Sequence, residues 1–251
     1  MRKRFFVLAL LMPLLFLSCD GLPAENDEWG GALPPAGNTG EPQEGIITFY
    51  TTYNEVSVAY YTPELESGWY KCAVSENKLS EFPPQSAAEI TYNGKTIRVL
   101  VTDLCPNEGN AQWTGMSNYF FDVGENAFAV LDDTIKGHLN VSIRKIAYQT
   151  SRNIHFEVKS GSNQWWLAGR FYDMRYPLAK VEVAFGNKAF TDMQRLDEYK
   201  NNWWVVESGS DMLSDVSFRL TDTFGHTVTT DSAIRALSAG GRYDIGVNFP
   251  Y

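Results

Sequence analysis

Short stretches of alternating apolar and polar residues dominate the chain beyond residue 45, a pattern that favours β structure. Ile97, Val99 and Val101 occupy one face of a predicted strand, because side chains in a strand alternate between two faces. The dipeptide Asn93-Gly94 before this strand supplies the positive φ angles of a two-residue type I′ hairpin turn. In the first half of this region, strands are predicted at residues 46–50, 56–61, 90–92, 95–101 and 139–148.

One short helix is predicted between these strands, over residues 122–131. Asp122 is the expected N-cap, since its carboxylate can accept hydrogen bonds from the free amides of the first turn. Glu125, three residues later, completes the spacing of a capping box. This interpretation gives Asp122 a structural role that competes with any chemical one.

The second half of the region repeats the short alternation and shows no helical period. Turns are predicted at Gly186-Asn187 and at residues 224–226. The predicted strands are residues 154–158, 181–185, 188–190, 216–220 and 227–229. This spacing predicts an antiparallel β-sandwich. The fold class is therefore mainly β, with a first domain at residues 45–149 and a second at residues 150–251.

The residues before these domains look like an export signal and a tether. Three basic residues at positions 2–4 precede an apolar stretch at 5–17, and the segment ends in Ser18-Cys19. This resembles a bacterial lipoprotein signal over residues 1–18, with Cys19 as the lipidated residue; an ordinary secretory signal with a chance cysteine is the alternative. Residues 19–44 are rich in Pro, Gly, Asn and Glu, which is typical of a flexible tether. We expect an exported protein, anchored by lipid at the bacterial cell envelope or surface.

Charge and motif content exclude several classes of function. The chain has 21 basic and 30 acidic residues, and loss of residues 1–18, which hold three basic residues, would change the net charge from −9 to −12. Such an acidic chain is a poor partner for nucleic acid or an anionic membrane, so membrane contact is expected only through the lipid anchor. His138, His155 and His226 lie far apart, with no ligand spacing around them, so we expect no metal. No phosphate-binding loop or nucleophile elbow occurs, and we expect no cofactor.

Two cysteines remain beside Cys19. Cys72 and Cys105 form an even pair in a chain with an export signal, and we expect them to form one disulfide. Two buried thiols are the alternative, because free cysteine behaves as a small apolar residue.

Two carboxylates are candidates for chemistry. Asp103 follows the strand at residues 95–101 and precedes Cys105-Pro106, where the chain must turn. Its side chain either projects into a groove or binds nearby amides of the turn. Glycoside hydrolysis usually needs two carboxylates, one as acid and one as base or nucleophile, and Asp103 and Asp122 could line one groove. Their spacing in sequence does not give their separation in space.

The pair Trp165-Trp166 is the strongest candidate for binding. Two exposed indoles form a platform on which sugar rings can stack. In a regular strand, however, neighbours face opposite sides, so both are exposed only where the backbone is bulged or twisted. Burial in a core is the alternative. A second pair, Trp203-Trp204, is interpreted as mostly core, because Val205-Val206 continue an apolar strand.

These residues resemble those of the bacterial expansins in order and spacing. The likeness covers most of residues 45–251 and is strongest in the second domain. The matching segments are residues 45–49, 101–106, 121–128, 156–166, 175–178 and 216–225. The resemblance implies a six-stranded double-psi β-barrel, similar to that of the family-45 endoglucanases, followed by an immunoglobulin-like carbohydrate-binding β-sandwich.

The resemblance also implies a monomeric protein that binds cellulose or a related plant cell wall β-glucan and loosens it without hydrolysis. In the barrel, it implies a glucan groove formed by Thr48, Asp103 and Asp122, with Asp122 at the position of the hydrolases' acid. No Asp or Glu occurs among residues 45–54, so the catalytic base is missing and we do not expect an enzyme. In the sandwich, the implied carbohydrate-binding residues are Trp165, Trp166, Tyr199 and Lys159.

The chain also departs from the expansin pattern, and other functions stay open. Cys105 stands where some bacterial members have an aromatic residue, and residues 107–120 form a longer loop. Trp113, Tyr119 and Phe120 of this segment either line the groove or pack the loop. A weak glycoside hydrolase, a lytic transglycosylase and a pure adhesion module are the alternatives, although the chain lacks the Asp-Arg-Gly-Pro motif of the transglycosylases.

Overall fold

The computed structural model describes residues 40–51, 64–116, 118–196, 201–207, 215–230 and 232–251. Six strands form a closed barrel: β1 (Gln43–Tyr50), β2 (Trp69–Ser75), β3 (Ala87–Tyr92), β4 (Lys95–Cys105), β5 (Tyr119–Gly124) and β6 (Leu139–Ile146). Their order around the barrel is β1-β5-β2-β4-β3-β6. The pairs β1–β5 and β2–β4 are parallel, and the other pairs are antiparallel. The predicted six-stranded barrel is confirmed. The predicted strand at residues 56–61 lies outside the described residues.

Alternation along the barrel strands produces the core, as the sequence predicts. Ile97, Val99 and Val101 are buried inside the barrel, together with Ile47 and Phe121. The β3–β4 hairpin turns at Asn93 and Gly94, whose φ angles are +48° and +80°. These positive values are those of the predicted type I′ turn.

In the described part of the chain, two helices accompany the barrel, α1 (Ala111–Thr114) and α2 (Glu125–Leu131). The prediction that Asp122 caps a helix over residues 122–131 is wrong: Asp122 lies in β5, and α2 begins three residues later with Gly124 as its N-cap residue. The reason is long-range pairing. Phe121 and Val123 point into the core, and this burial holds residues 119–124 against β1 and β2 in extended form. Single 3₁₀ turns occur at Glu76–Lys78 and Thr134–Lys136.

The remaining strands form one antiparallel sheet of eight. They are β7 (His155–Val158), β8 (Leu167–Tyr172), β9 (Leu178–Phe185), β10 (Thr191–Arg195), β11 (Trp204–Val206), β12 (Val216–Asp222), β13 (Thr227–Thr229) and β14 (Arg242–Asp244). The order is β13-β12-β9-β10-β11-β8-β7-β14, and β10 joins the two halves. The sheet curls so that Phe156 contacts both Phe171 and Phe218, at ring separations of 4.8 and 4.4 Å. The antiparallel β-sandwich is therefore confirmed as a single sheet folded onto itself.

One strand of this sheet differs from its prediction. The turn at Gly186-Asn187 is present, with φ of +58° at Gly186, but the return strand begins at Thr191 instead of residue 188. Residues 186–190 are mostly exposed, and pairing with β9 starts at Thr191 opposite Val183. With few apolar contacts to hold residues 188–190 against the sheet, this segment forms a wider loop.

Candidate functional site

Four residues on neighbouring barrel strands form a row on the outer face. Thr48 of β1 pairs with Asp122 of β5, Asp122 pairs with Ala73 of β2, and Ala73 pairs with Asp103 of β4. Paired residues point to the same face, and the adjacent residues in β1 and β5 fill the barrel core. The Cα atoms of Asp122 and Asp103 are two strand spacings apart, about 10 Å. We call these four residues the carboxylate row.

A β-bulge places Asp103 in this row. Val101 pairs with Cys72 and Asp103 pairs with Ala73, so Thr102 is an extra residue in β4. Without it, regular alternation from Val101 would turn Asp103 towards the core, because a shift of one residue exchanges the two faces of a strand. The bulge is thus the local feature that brings the second carboxylate to the surface.

Asp122 is partly buried and holds its proton more tightly than an ordinary Asp. Burial raises the pKa of Asp122; the hydrogen bond from Thr48 opposes this, and the negative charge of Asp103 raises the pKa further. The Thr48 hydroxyl donates to Asp122 Oδ1 over 2.6 Å. The backbone amide of Leu104 donates to Asp103 Oδ1 over 2.8 Å, so Asp103 both bonds its own turn and belongs to the row. The turn interpretation of Asp103 is therefore confirmed, and its role in a glucan groove stays a prediction.

Tyr50 adds a phenol near the same row. It follows Thr48 by two positions in β1, and therefore shares its outward face. Burial raises the pKa of Tyr50, and the negative charges of Asp103 and Asp122 raise it further. Tyr50 is thus a neutral hydroxyl within electrostatic range of both carboxylates, and sequence reasoning did not single it out.

The predicted disulfide is absent, and Cys72 and Cys105 are free buried thiols. Cys105 pairs with Ser75, three residues beyond Cys72, which separates the two cysteines by about 10 Å along the strands. A disulfide needs Cα atoms within about 7 Å. The side chains also point to opposite faces, Cys72 to the barrel core and Cys105 to an outer cluster with Phe120. Burial raises the pKa of Cys105 to about 11 and that of Cys72 well above its ordinary value.

The loop before β5 contributes one ring beside the carboxylate row. Trp113 of α1 is half-buried and lies nearly parallel to Phe120, with ring centroids 6.1 Å apart. Phe120 itself is buried, and Tyr119 packs edge-on against Phe82 at 4.9 Å. Phe120 and Tyr119 thus pack the structure, while Trp113 keeps solvent-facing area next to the outer cluster of Ala73 and Cys105.

A second surface lies on the curled sheet, around Trp165 and Trp166. The pair lies in a tight turn just before β8: Asn163 and Trp166 exchange backbone hydrogen bonds of 2.9 and 3.2 Å. The Trp165 amide donates to the side-chain oxygen of Asn163 over 2.9 Å. Trp165 is 60% exposed, and Trp166 is half-buried. Because the turn breaks strand alternation, both indoles reach solvent, which agrees with the platform interpretation.

Trp203 belongs to the same outer face. Trp204 pairs with Gly169, so Trp203 stands opposite Arg170 of β8. The Arg170 guanidinium lies 4.5 Å from the centre of the Trp203 ring, and the Lys159 ammonium lies 5.0 Å from it. Two cations beside one indole favour a fixed ring orientation. We call Trp165, Trp166 and Trp203 the aromatic face.

The aromatic face extends along β8. Trp166 and Arg170 are four residues apart on the outward side, which corresponds to about 13 Å. Between them, Gly169 faces inward, where any side chain would collide with the Phe156 ring. Trp204, the other member of the second pair, is buried. The prediction that Trp203 and Trp204 are mostly buried is therefore correct for Trp204 only. Tyr199, the predicted third aromatic, lies outside the described residues.

Neither surface resembles a metal centre. Among the described residues, no group of three or more His, Cys, Asp or Glu side chains is placed to hold a metal ion. Within the same residues, no helix has the length and apolar composition needed to cross a membrane.

This chain is similar to several known expansins. The chain is 27% identical over 165 residues to Expansin-YoaJ of Bacillus subtilis (strain 168), covering 66% of this chain and 61% of that protein. It is 29% identical over 117 residues to Expansin-like protein 6 of Dictyostelium discoideum, covering 45% of this chain and 38% of that one. The matched region thus spans between about two fifths and three fifths of these relatives. No protein-family profile matches the chain.

Solved structures show the same architecture. The apo expansin of Clavibacter michiganensis superimposes with a TM-score of 0.69 at 20% identity, covering 84% of this chain and 98% of that one. The chain is expansin-like in sequence and in fold. A variant of the Clavibacter expansin, determined in complex with cellohexaose, superimposes with a TM-score of 0.68. These comparisons confirm the predicted resemblance, and the barrel and curled sheet are its structural counterpart.

Proposed function

We propose that this protein binds cellulose or a related β-glucan and loosens glucan networks without cleaving them. The observation that carries the proposal is the pair of outward-facing surfaces, the aromatic face on the sheet and the carboxylate row on the barrel. The first is suited to hold a glucan surface, and the second to interact with the hydroxyls of one chain. The expansin-like sequence and fold, and the cellohexaose complex of the Clavibacter variant, support glucan binding, and the division of roles is our inference from the two surfaces.

Binding is assigned to the aromatic face. Indole rings stack on the apolar faces of pyranose rings, and each such contact contributes about 1 kcal/mol beyond area burial. The cations beside Trp203 lower its mobility, so little conformational entropy remains to be lost when a glucan binds. Three rings on this face are suited to two or three successive sugar units of a flat chain.

Loosening is assigned to the carboxylate row. Asp103, the Asp122 carboxyl and the Thr48 hydroxyl offer hydrogen bonds to glucan hydroxyls, which otherwise bond to neighbouring glucan chains. Ala73, which lies between the two carboxyls, is itself buried against Cys105 and Phe120, so a glucan chain on the row would contact the polar side chains and not Ala73. Exchange of glucan–glucan bonds for bonds to the row would separate chains with no covalent step.

Thr48 is the reason why we expect no hydrolysis. Cleavage of a glycosidic bond uses a protonated acid and a second carboxylate as base or nucleophile. Asp122 suits the acid, because its pKa is raised. Its direct hydrogen-bond partner is a hydroxyl, which is a poor base at neutral pH. An acid in this setting positions glucan hydroxyls and does not complete catalysis.

A weak inverting hydrolase is the second candidate. Its supporting observation is that Asp103 shares the row with an Asp122 of raised pKa, at a Cα separation of about 10 Å. Inverting enzymes separate their carboxyl groups by about 6.5–9.5 Å. In this candidate, Asp103 is the base that activates water.

One experiment separates the two candidates. Cellulose paper is held under constant tension, purified protein is added, and extension and soluble sugar are measured together. Extension without released sugar is expected. Sugar released in step with extension would establish the hydrolase, and Asp122→Asn should then abolish the release of sugar. Binding to cellulose without extension and without released sugar would refute loosening and identify the protein as an adhesion module.

Anchoring through Cys19 is a further part of the proposal. It is supported by the signal-like composition of residues 1–18 and the tether-like composition of residues 19–44. The protein is then exported and held by lipid as a monomer at the cell envelope. Incorporation of labelled palmitate tests the anchor, and Cys19→Ala should abolish it. Light scattering measures the molar mass of detergent-free protein that lacks residues 1–19, and the mass of a single chain is expected.

A further inference from the structure

A cavity of about 380 Å³ lies away from both surfaces, where β6 of the barrel meets the curled sheet. Its polar lining includes Lys145, Glu81 and Ser86 from the barrel and Thr223 from the sheet, and Phe224 adds an aromatic ring. The volume is that of a small-ligand site, since such pockets measure about 300–1,000 Å³. We call this the Lys145 cavity.

The Lys145 cavity carries an excess positive charge. Glu81 is paired with Lys78, with Nζ and Oε1 3.0 Å apart. Burial works against ionisation of Glu81, but hydrogen bonds from Lys78 and Tyr119 more than compensate and lower its pKa. One carboxylate therefore faces two ammonium groups, those of Lys78 and Lys145. This local excess stands out in a chain with a net charge of −9.

The ammonium of Lys145 is poorly compensated. It lies 4.6 Å from the centre of the Phe82 ring, and no described residue accepts a hydrogen bond from it. Burial lowers the pKa of Lys145, and the charge of Glu81 offsets this only in part. A half-buried cation without an acceptor is costly, so an anionic ligand that supplies one would be stabilised there.

The rest of the lining indicates which anion fits. Phe224 is 44% exposed, and its ring is held edge-on by Tyr176 at 5.0 Å. An exposed ring of fixed orientation suits the apolar face of a pyranose. The Ser86 hydroxyl donates to the Pro83 carbonyl over 2.6 Å and can only accept from a ligand, whereas the Thr223 hydroxyl can suit either kind of polar group.

We propose that the Lys145 cavity binds a hexuronate, with its carboxylate on Lys145 and its ring against Phe224. The ligand is a free sugar acid or the end of a uronic acid chain, and both present the same group. This site is separate from the carboxylate row and the aromatic face, and it does not depend on the function proposed for them. It gives an acidic protein one place where an acidic polysaccharide is attracted.

Calorimetric titration of the full-length protein tests the site. The probes are galacturonate, digalacturonate and polygalacturonate, with galactose as the neutral match and acetate as the bare carboxylate. Galacturonate should bind more tightly than galactose and acetate. Lys145→Gln should weaken the binding of galacturonate by about tenfold or more, as expected for loss of a charged hydrogen bond. Lys145→Arg should restore most of the affinity.

Two further variants keep the test decisive. Lys95→Gln makes the same change of charge at the exposed β3–β4 hairpin and should leave affinity unchanged. Phe224→Ala should weaken the binding of galacturonate several-fold and leave the binding of acetate unchanged. The melting curve of this variant checks that its fold is intact. An equal loss of galacturonate affinity in Lys95→Gln would overturn the proposed site. Unchanged galacturonate affinity in Lys145→Gln would overturn it as well. Acetate binding as tight as galacturonate would overturn its assignment to a sugar. Binding of polygalacturonate in preference to galacturonate would identify the chain end as the source.

Discussion

The barrel and the curled sheet both present polar or aromatic groups on an outward face, yet they build those faces in different ways. Two of the three rings of the aromatic face depend on local structure, because a turn closed by Asn163 and Trp166 lifts Trp165 and Trp166 out of strand alternation. Trp203 joins them through the pairing of β11 with β8. The carboxylate row depends on pairing between residues far apart in the chain, such as Thr48 with Asp122. We expect the local pair Trp165-Trp166 to keep its position after substitutions that would disrupt a row assembled from four strands.

The difference extends to the way each face is charged. On the sheet, Trp203 lies beside the ammonium of Lys159 and the guanidinium of Arg170, which is itself paired with Glu157. On the barrel, Asp122 and Asp103 repel one another across the row, which contributes to the raised pKa of Asp122. The sheet thus presents fixed rings for stacking, and the barrel presents hydrogen-bonding groups whose protonation depends on pH.

The largest effect is expected from removing the aromatic face. Combined substitution of Trp165, Trp166 and Trp203 by Ala should weaken binding to cellulose by about a hundredfold, since three stacked rings contribute about 3 kcal/mol. Depletion of the protein from solution by crystalline cellulose measures this. Phe224→Ala, which removes an exposed ring elsewhere on the sheet, should bind as the unaltered protein does. Full binding by the triple variant would refute the aromatic face.

The next effect concerns the carboxylate row. Asp103→Asn should reduce extension of loaded cellulose paper by about tenfold, because the amide donates where the charged carboxylate accepts. Cellulose binding should change less than twofold. Asp192→Asn, an exposed carboxylate on the sheet, is the matched control. Loss of binding together with extension would show that the two faces are not separable.

A smaller effect is expected at the bulge. The Thr102 hydroxyl is buried and has no hydrogen-bond partner among the described residues. Thr102→Val keeps the shape and removes this unpaired group, so the free energy of unfolding should rise by about 1 kcal/mol. Denaturant unfolding measures it. A decrease would mean that the hydroxyl has a partner that holds the bulge, such as an ordered water.

The smallest effect is the pH dependence of stability at Asp122. Its pKa in the folded state is raised above the unfolded value, so the folded protein binds this proton more tightly. Stability therefore falls as pH rises from the unfolded pKa through the folded one. Asp122→Asn should be more stable than the unaltered protein at pH 7, and the difference should vanish below the ordinary pKa of Asp. A difference that grows as pH falls would contradict this sign.

Local signals along the chain determined much of the fold. Asn93-Gly94 predicted its hairpin because positive φ angles are a property of the dipeptide. Ile97, Val99 and Val101 predicted the inward face of β4 because strand alternation is local. The expansin resemblance, carried by the segments around Val101 and Trp165, led to the barrel and the curled sheet.

Tertiary structure alone decided where the carboxylates and the third indole lie. Asp122 has the local appearance of a helix cap, but burial of Phe121 and Val123 made its segment a strand. Asp103 faces outward only because pairing with β2 accommodates an extra residue at Thr102. Likewise, Trp203 is accessible because its neighbour Trp204 takes the inward position opposite Gly169. In each case the free energy comes from contacts with distant strands, which outweigh the local preference of the sequence.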